Sequence, residues 1–334
     1  MAKLFNTRLM VAPARILTDL TTPEFTRSVT RSVGLEDTFC EGPPAFAPYQ
    51  LQARWFEEAA RKLGEPHLGA LIGTKIRYGD LGNYAQYVLE APNVAKALGR
   101  AKQALSFIVS ASHFETAITE NCLVLRYSTG IESTIGTRHI EEAIPLLFTD
   151  FMRNFAGPGW KPAWIERPAR DGLPGRTLAE GHYANVPVRL GPMAGLAIPL
   201  SDLLLPNPSP PDGQARLTFS DLPSLAGSAV PSSFSDVVRD LLKLQLRVGN
   251  APEDVVASRL GLGIRTFQRR LRTEGYTFRE LRLEETMRRA AALLSTGDLN
   301  IAETAFALGY EEPNSFRRAF QKFFDVAPSQ YRQL

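Results

Sequence analysis

Apolar positions recur at helical spacing along much of the first half of the chain. Thr22 followed by Pro23 and Glu24 reads as a helix N-cap with proline at the first helical position, and Gly34 supplies the stop. Phe25, Val29 and Val33 recur every four residues and predict one buried face, which leaves Arg27 and Arg31 on the outer side. The same logic predicts helices over Gln50 to Leu63, closed by Gly64, over Val94 to about Ser112, and over Glu141 to Phe155. Glu115 to Tyr127 alternates apolar and polar around Glu120-Asn121, the pattern of a hairpin. Trp164 to Arg167 and Val186 to Leu190 are short strand candidates, so the first part is expected to be a mixed α+β domain.

The pattern changes at Leu205 to Gly213, where Pro206, Pro208, Pro210 and Pro211 interrupt any helix or central strand. Beyond Ser233 every segment is helical in period. The expected division is a regulatory domain over 1–212, a linker with a dimerisation helix over 213–249, and a third segment over 250–334. The dimerisation helix is read from Ser233 to Val248, with Phe234, Val237, Val238, Leu241, Leu242 and Leu244 as its apolar stripe.

The third segment holds two copies of one idea: a short helix, a glycine turn and a second helix rich in hydrogen-bonding side chains. In the first copy, Asp254 to Leu260 leads through Gly261-Leu262-Gly263 into Ile264 to Arg272, with Ile264, Phe267 and Leu271 facing inward. Arg265, Thr266, Gln268, Arg269 and Arg272 then lie outward. In the second copy, Ile301 to Leu308 leads through Gly309-Tyr310 into Glu312 to Phe324. Phe316, Phe320, Phe323 and Phe324 pack inward there, leaving Asn314, Ser315, Arg317, Arg318, Gln321 and Lys322 outward. Arginine and glutamine make paired hydrogen bonds to guanine and adenine edges, so such faces suit recognition helices in the major groove of double-stranded DNA. One basic amphipathic helix is often no more than a solvated face; two in tandem, each after a glycine turn, favour the reading role.

Composition narrows the classes further. The chain has 334 residues, 44% hydrophobic and 22% charged, which describes an ordinary globular protein with room for about two domains. Its formal net charge of +3 is too small to act as a global field, so nucleic-acid binding rests on where the arginines sit. Cys40 and Cys122 match no disulfide or zinc spacing, and His67, His113, His139 and His182 form no metal-binding pair. No cofactor or metal is expected. The absence of a nucleophile elbow, a Walker loop and a dinucleotide fingerprint argues against an enzyme. No run of 18 apolar residues occurs and no signal peptide is evident, so a cytoplasmic protein without a membrane partner is expected.

Arg265 to Leu271, Ala305 to Tyr310, Ser315 to Phe320 and Ala327 to Arg332 resemble the signature of AraC/XylS-family transcription regulators. The resemblance implies two helix-turn-helix units joined by a long helix, here Phe278 to about Ser295, with phosphate contacts from basic groups such as Arg270, Arg288 and Arg289. Leu51 to Leu105, including Leu68-Gly69, Gly79 to Gly82 and Val94 to Leu98, resembles the arabinose-binding-type effector domain of one branch of that family. That likeness implies a cupin-like β-barrel with packed helices, a homodimer, and a promoter-binding regulator, an activator working with RNA polymerase.

Arg27 and Arg31 stand four apart on one helix face and can jointly grip a phosphate or a purine. This R-x-x-x-R resembles the arginine motif of PilZ-type cyclic di-GMP receptors and of AraC-like activators of exopolysaccharide genes. Ser133 and Gly136 meet part of the accompanying PilZ pattern, with Ile131 in place of its acid. Cyclic di-GMP is therefore one expected effector. A small carboxylate or fatty acid in the barrel is the alternative, and a constitutive dimer that ignores metabolites is the third.

Overall fold

The computed structural model describes residues 3–35, 42–131, 135–168, 181–183, 185–209, 217–225, 230–248 and 251–332. The chain forms two compact units, Lys3–Pro44 with Pro48–Val230, and Ala45–Ala47 with Pro231–Leu334. The helix expected as a linker thus groups with the helical segment that follows it.

In the first unit the helices are α1 (Val11–Leu20), α2 (Pro23–Ser32), α3 (Tyr49–Leu63), α4 (Leu68–Gly73), α5 (Asn83–Leu89), α6 (Val94–Ala104) and α7 (Thr137–Ala156). Thr22 caps α2 by accepting the Phe25 N–H, and Gly64 ends α3 in the left-handed region at φ 71°. Of the predicted α2 face, Val29 is fully buried and Phe25 and Val33 are half-buried. α6 is shorter than its periodicity predicts. After Ala104 the chain tightens into a 3-10 turn over Leu105–Phe107, and Val109 bridges Phe5; these apolar residues are buried without being α-helical.

The sheet contains β1 (His113–Thr119), β2 (Cys122–Ser128), β3 (Ile165–Pro168), β4 (Val188–Gly191) and β5 (Ala194–Pro199), in the order β1-β2-β5-β3-β4. The hairpin is as predicted: Thr119 pairs with Cys122, and Glu120 and Asn121 both take positive φ, 49° and 59°, as a tight two-residue turn requires. Pairing is antiparallel throughout except between β3 and β4. Among the described residues the sheet keeps two edges, β1 and β4, so the expected barrel is not closed. Five short strands fall below the roughly eight of a small closed barrel, and α7 packs against β5 and β3 instead.

The central strand β5 escaped the pattern reading because Ala194 to Ile198 is a continuous buried run with no alternation. Gly195, its second residue, faces Arg126 on β2 and Glu166 on β3. Across it the Arg126 guanidinium donates twice to the Glu166 carboxylate, Nε to Oε2 at 2.6 Å and Nη2 to Oε1 at 2.9 Å. A Cβ on Gly195 would stand 2.4 Å from the Leu125 carbonyl oxygen, so glycine is what lets these strands close up beneath the pair.

Two more glycines set the contact of α4 with α7. A Cβ at Gly69 would lie 2.0 Å from the His139 carbonyl oxygen, and one at Gly73 would lie 3.0 Å from the Ala143 Cα. The helices therefore meet backbone to backbone along one turn of α4. Beside this contact Glu142 is buried, with His67 Nδ1 2.9 Å from its Oε1 and His139 Nδ1 3.8 Å from its Oε2. Burial pushes the Glu142 carboxyl up, but the His139 and His67 rings outweigh that effect and hold it below the ordinary carboxylate value.

The second unit comprises α8 (Phe234–Gln245), α9 (Glu253–Arg259), α10 (Ile264–Thr273), α11 (Phe278–Thr296), α12 (Ile301–Ala307), α13 (Pro313–Phe324) and α14 (Pro328–Tyr331). Capping boxes open α8 at Ser233 and Asp236, α11 at Thr277 and Glu280, and α12 at Asn300 and Glu303. Along the α8 stripe Val237, Val238, Leu241, Leu242 and Leu244 are buried, and Arg239 pairs with Glu284 and Glu285 of α11.

Gly69→Ala should destabilise the first unit by about 3 kcal/mol in urea unfolding, because neither backbone can move aside cheaply. Gly99→Ala, where an added Cβ meets nothing within 4 Å, should instead stabilise by about 0.5–1 kcal/mol. Equal effects would refute the close-packing argument. Glu142→Gln should cost about 1–3 kcal/mol at pH 7. A depressed carboxylate contributes stability above its unfolded value of about 4.3 and loses it as pH falls through the folded value, so the gap between variant and parent should close below about pH 4. A gap that stays constant from pH 7 to pH 3 would exclude a stabilising role for the ionised carboxylate.

Candidate DNA-reading helices and ligand cavity

Each reading helix is positioned by aromatic residues beneath it. On α10, Phe267 and Leu271 are fully buried, and Phe267 meets the rings of Phe234 and Phe278 edge-on at 5.7 Å each. Gly261 turns the chain into α10 with φ 67°. Ile264, expected inward, is 45% exposed: it begins the helix beside a turn whose glycines offer no side chain to cover it. Arg265, Arg269 and Arg272 are exposed, while Thr266 is half-buried. Gln268 is half-buried too, and its Nε2 donates to Glu253 Oε1 at 3.1 Å.

On α13, opened by Pro313 at its first turn, Phe316 and Phe320 are fully buried and Phe324 is half-buried. Phe320 packs on Phe324 at 4.6 Å and on Tyr331 at 5.4 Å. Phe323, expected inward, lies at the edge of the 316-320-324 stripe and is 38% exposed. Asn314, Arg317, Arg318, Gln321 and Lys322 are exposed and Ser315 is half-buried. Arg317 Nη1 lies 3.4 Å from Asn314 Oδ1.

α11 ties the two readers together. Phe278 at its start packs on Phe267, and Met287, Ala290 and Leu294 in its second half join Phe316 and Phe320. Its 19 residues rise about 28 Å, close to one turn of duplex DNA at about 34 Å. The three flanking basic groups have partners within the unit: Arg270 lies over the Phe234 ring at 5.5 Å, Arg288 pairs with Glu285 at 2.6 Å, and Arg289 donates to the Arg247 carbonyl at 3.1 Å.

In the first unit, Arg27 and Arg31 are exposed on α2, and Arg27 pairs with Glu24. Gly136 precedes α7 with φ 87°, and a Cβ there would stand 1.9 Å from the Ala53 carbonyl oxygen, so its place is set by packing against α3. Ser133 lies outside the described residues.

Sequence reasoning missed a ring-lined cavity of this unit, about 110 Å³, lined by Tyr49, Gln52 and Phe56 of α3, Tyr84 of α5, Tyr127 of β2 and Phe148 of α7, among others. Burial pushes the Tyr49, Tyr84 and Tyr127 hydroxyls up, so these groups stay neutral. A signal was present: Tyr49, Gln52 and Phe56 fall at i, i+3 and i+7, which places one amide on an otherwise apolar helix face.

Residues 256–334 match a helix-turn-helix domain family, and residues 26–219, more than half of the chain, match the arabinose-binding domain of AraC transcription regulators. The chain belongs to the AraC-type transcription regulators. It thus falls among regulators of transcription and not among enzymes. This AraC-type regulator is 32% identical over 101 residues to the HTH-type transcriptional regulator VirS of Mycobacterium tuberculosis, covering 30% of each chain. It is 26% identical over 289 residues to the ornithine utilization regulator of Pseudomonas aeruginosa, covering 81% of this chain and 79% of that one. The transcriptional activator PerA of Escherichia coli is 25% identical over 113 residues, 34% of this chain and 41% of its own. The regulator therefore spans under a third of VirS and most of the ornithine utilization regulator. Among the described residues no helix is long and apolar enough to cross a membrane.

Proposed function

We propose that this regulator binds promoter DNA by placing α10 and α13 in successive major grooves, and that a small molecule held in its first unit adjusts that binding. The observation that carries the reading is the pair of arginine-rich faces fixed to one capped helix about a DNA turn long. Arg265, Arg269, Arg317 and Arg318 are the base-reading candidates because they are exposed on those faces. Gln268 must first release Glu253. The name of PerA, an activator, supports a role in raising transcription. A homodimer acting with RNA polymerase in the cytoplasm fits such a role. It would pair through surfaces other than the α8 stripe, which is buried.

Two effector readings differ in where the ligand sits. Cyclic di-GMP would bind the exposed Arg27 and Arg31 on α2; a smaller molecule would enter the cavity. The cavity reading is favoured because Arg27 already has Glu24 as a partner and Gly136 serves packing.

The DNA reading is tested by fluorescence anisotropy on a site selected from random duplexes. Arg269→Ala and Arg317→Ala should each weaken the selected site by about 1–3 kcal/mol, and non-specific duplex much less. Equal losses on both duplexes would mark the two arginines as phosphate contacts and remove them from base reading.

A further inference from the structure

We propose that the cavity of the first unit binds a neutral, single-ring aromatic compound carrying one hydroxyl or N–H group, with Gln52 as its hydrogen-bond acceptor. The inference rests on the effector-responsive reading above and names the ligand class for it.

Three properties of the cavity converge on that class. The first is size. A cavity of about 150 Å³ holds a benzene ring, so one of about 110 Å³ takes a single ring at most. A dinucleotide has no place in it.

The second is charge. Among the described residues no lysine, arginine, histidine, aspartate or glutamate lines the cavity. An ionised carboxylate, phosphate or ammonium would give up its hydration with nothing of opposite charge to meet it, which costs more than the cavity can return. The walls are instead rings, with Tyr49, Phe56, Tyr84, Phe114, Tyr127 and Phe148 on several sides. Aromatic rings at such spacing favour another ring edge-on or offset.

The third is the polar inventory. The tyrosine hydroxyls are engaged. Tyr49 and Tyr127 lie 3.3 Å apart, Tyr127 donates to Ser112 Oγ at 3.0 Å, and Tyr84 donates to the Ala101 carbonyl at 3.1 Å. Gln52, 7% exposed, lines the same cavity, and its Oε1 is buried with no hydrogen-bond partner. A buried carbonyl oxygen left unpaired is costly, and a ligand that brings one O–H or N–H removes that cost on binding. The unsatisfied atom is an acceptor, so a donor on the ligand is its complement.

The test is titration calorimetry of the full chain at pH 7 with phenol, toluene and benzoate, repeated on Gln52→Leu. Phenol should bind the parent protein more tightly than toluene, and benzoate at least about 100-fold more weakly than phenol. Gln52→Leu should weaken phenol about 5- to 10-fold and leave toluene unchanged or tighter, since leucine fills the same space without an acceptor. Equal loss of phenol and toluene would show a general disturbance of the cavity and overturn the role of Gln52. Benzoate binding as well as phenol, or no phenol binding, would overturn the ligand class. Ornithine and cyclic di-GMP are run in the same series with DNA affinity as the second readout. If either binds and changes DNA affinity while phenol does not, the regulator is effector-responsive and the neutral-ligand inference falls alone. If no probe binds, both readings fall.

Discussion

The first unit depends on how closely α4 can approach α7. Gly69 and Gly73 remove the two side chains that would hold the backbones apart, and α7 then serves three neighbours at once. It carries Glu142 to His67, packs on β5 and β3, and supplies Phe148 to the cavity wall. An added methyl at Gly69 meets a carbonyl oxygen, not a flexible side chain, so the strain cannot be absorbed locally. Displacing α7 to relieve it would disturb the buried Glu142–His67 contact and the cavity together. A cavity lined mostly by rings survives only where the elements around it are fixed in this way.

The second unit solves a different problem, which is to present two polar faces at a set separation. Small three-turn helices are marginal by themselves, and here each reader is anchored by buried phenylalanines to the same capped helix. Thr277 with Glu280 at one end and Gly297 at the other fix where α11 begins and stops, and Arg332 reaches back to the Gly297 carbonyl at 2.6 Å. The length of α11 therefore sets the separation of the two arginine faces. The arginines on α10 and α13 need not be held by their own contacts, because the aromatic core beneath each helix already sets their direction.

The helical second unit was almost wholly legible in the sequence, because glycine turns, capping residues and 3.6-residue spacing agree with one another there. Ile264 and Phe323, expected inward and found exposed, are apolar residues at the margins of correctly placed stripes, where period alone does not say how far cover extends. The first unit was legible only in part. Thr22 and the Glu120-Asn121 turn carry local chemistry and were placed correctly. β5 was missed because a strand buried on both faces has no alternation to read, and the barrel was expected from resemblance where the strands form an open sheet. The glycines at 69, 136 and 195 take their meaning from partners 69 to 83 residues away in the chain, which no local pattern reveals.

The same contrast explains why attention fell first on Arg27 and Arg31 and not on Gln52. Paired charges are conspicuous in a sequence, but on an exposed helix water competes for them and a neighbouring Glu24 already satisfies one. A single amide on an apolar stripe is inconspicuous, yet burial without a partner makes its carbonyl oxygen a demand that a ligand can meet. A neutral ligand also changes no charge on binding. Whatever it does to DNA affinity must then come from the difference in packing between filled and empty cavity, and is bounded by the ligand's differential affinity for the two states. Such an effector leaves the charge of the arginine faces as it is, so a change in the salt dependence of DNA binding would report a change in the number of phosphates contacted.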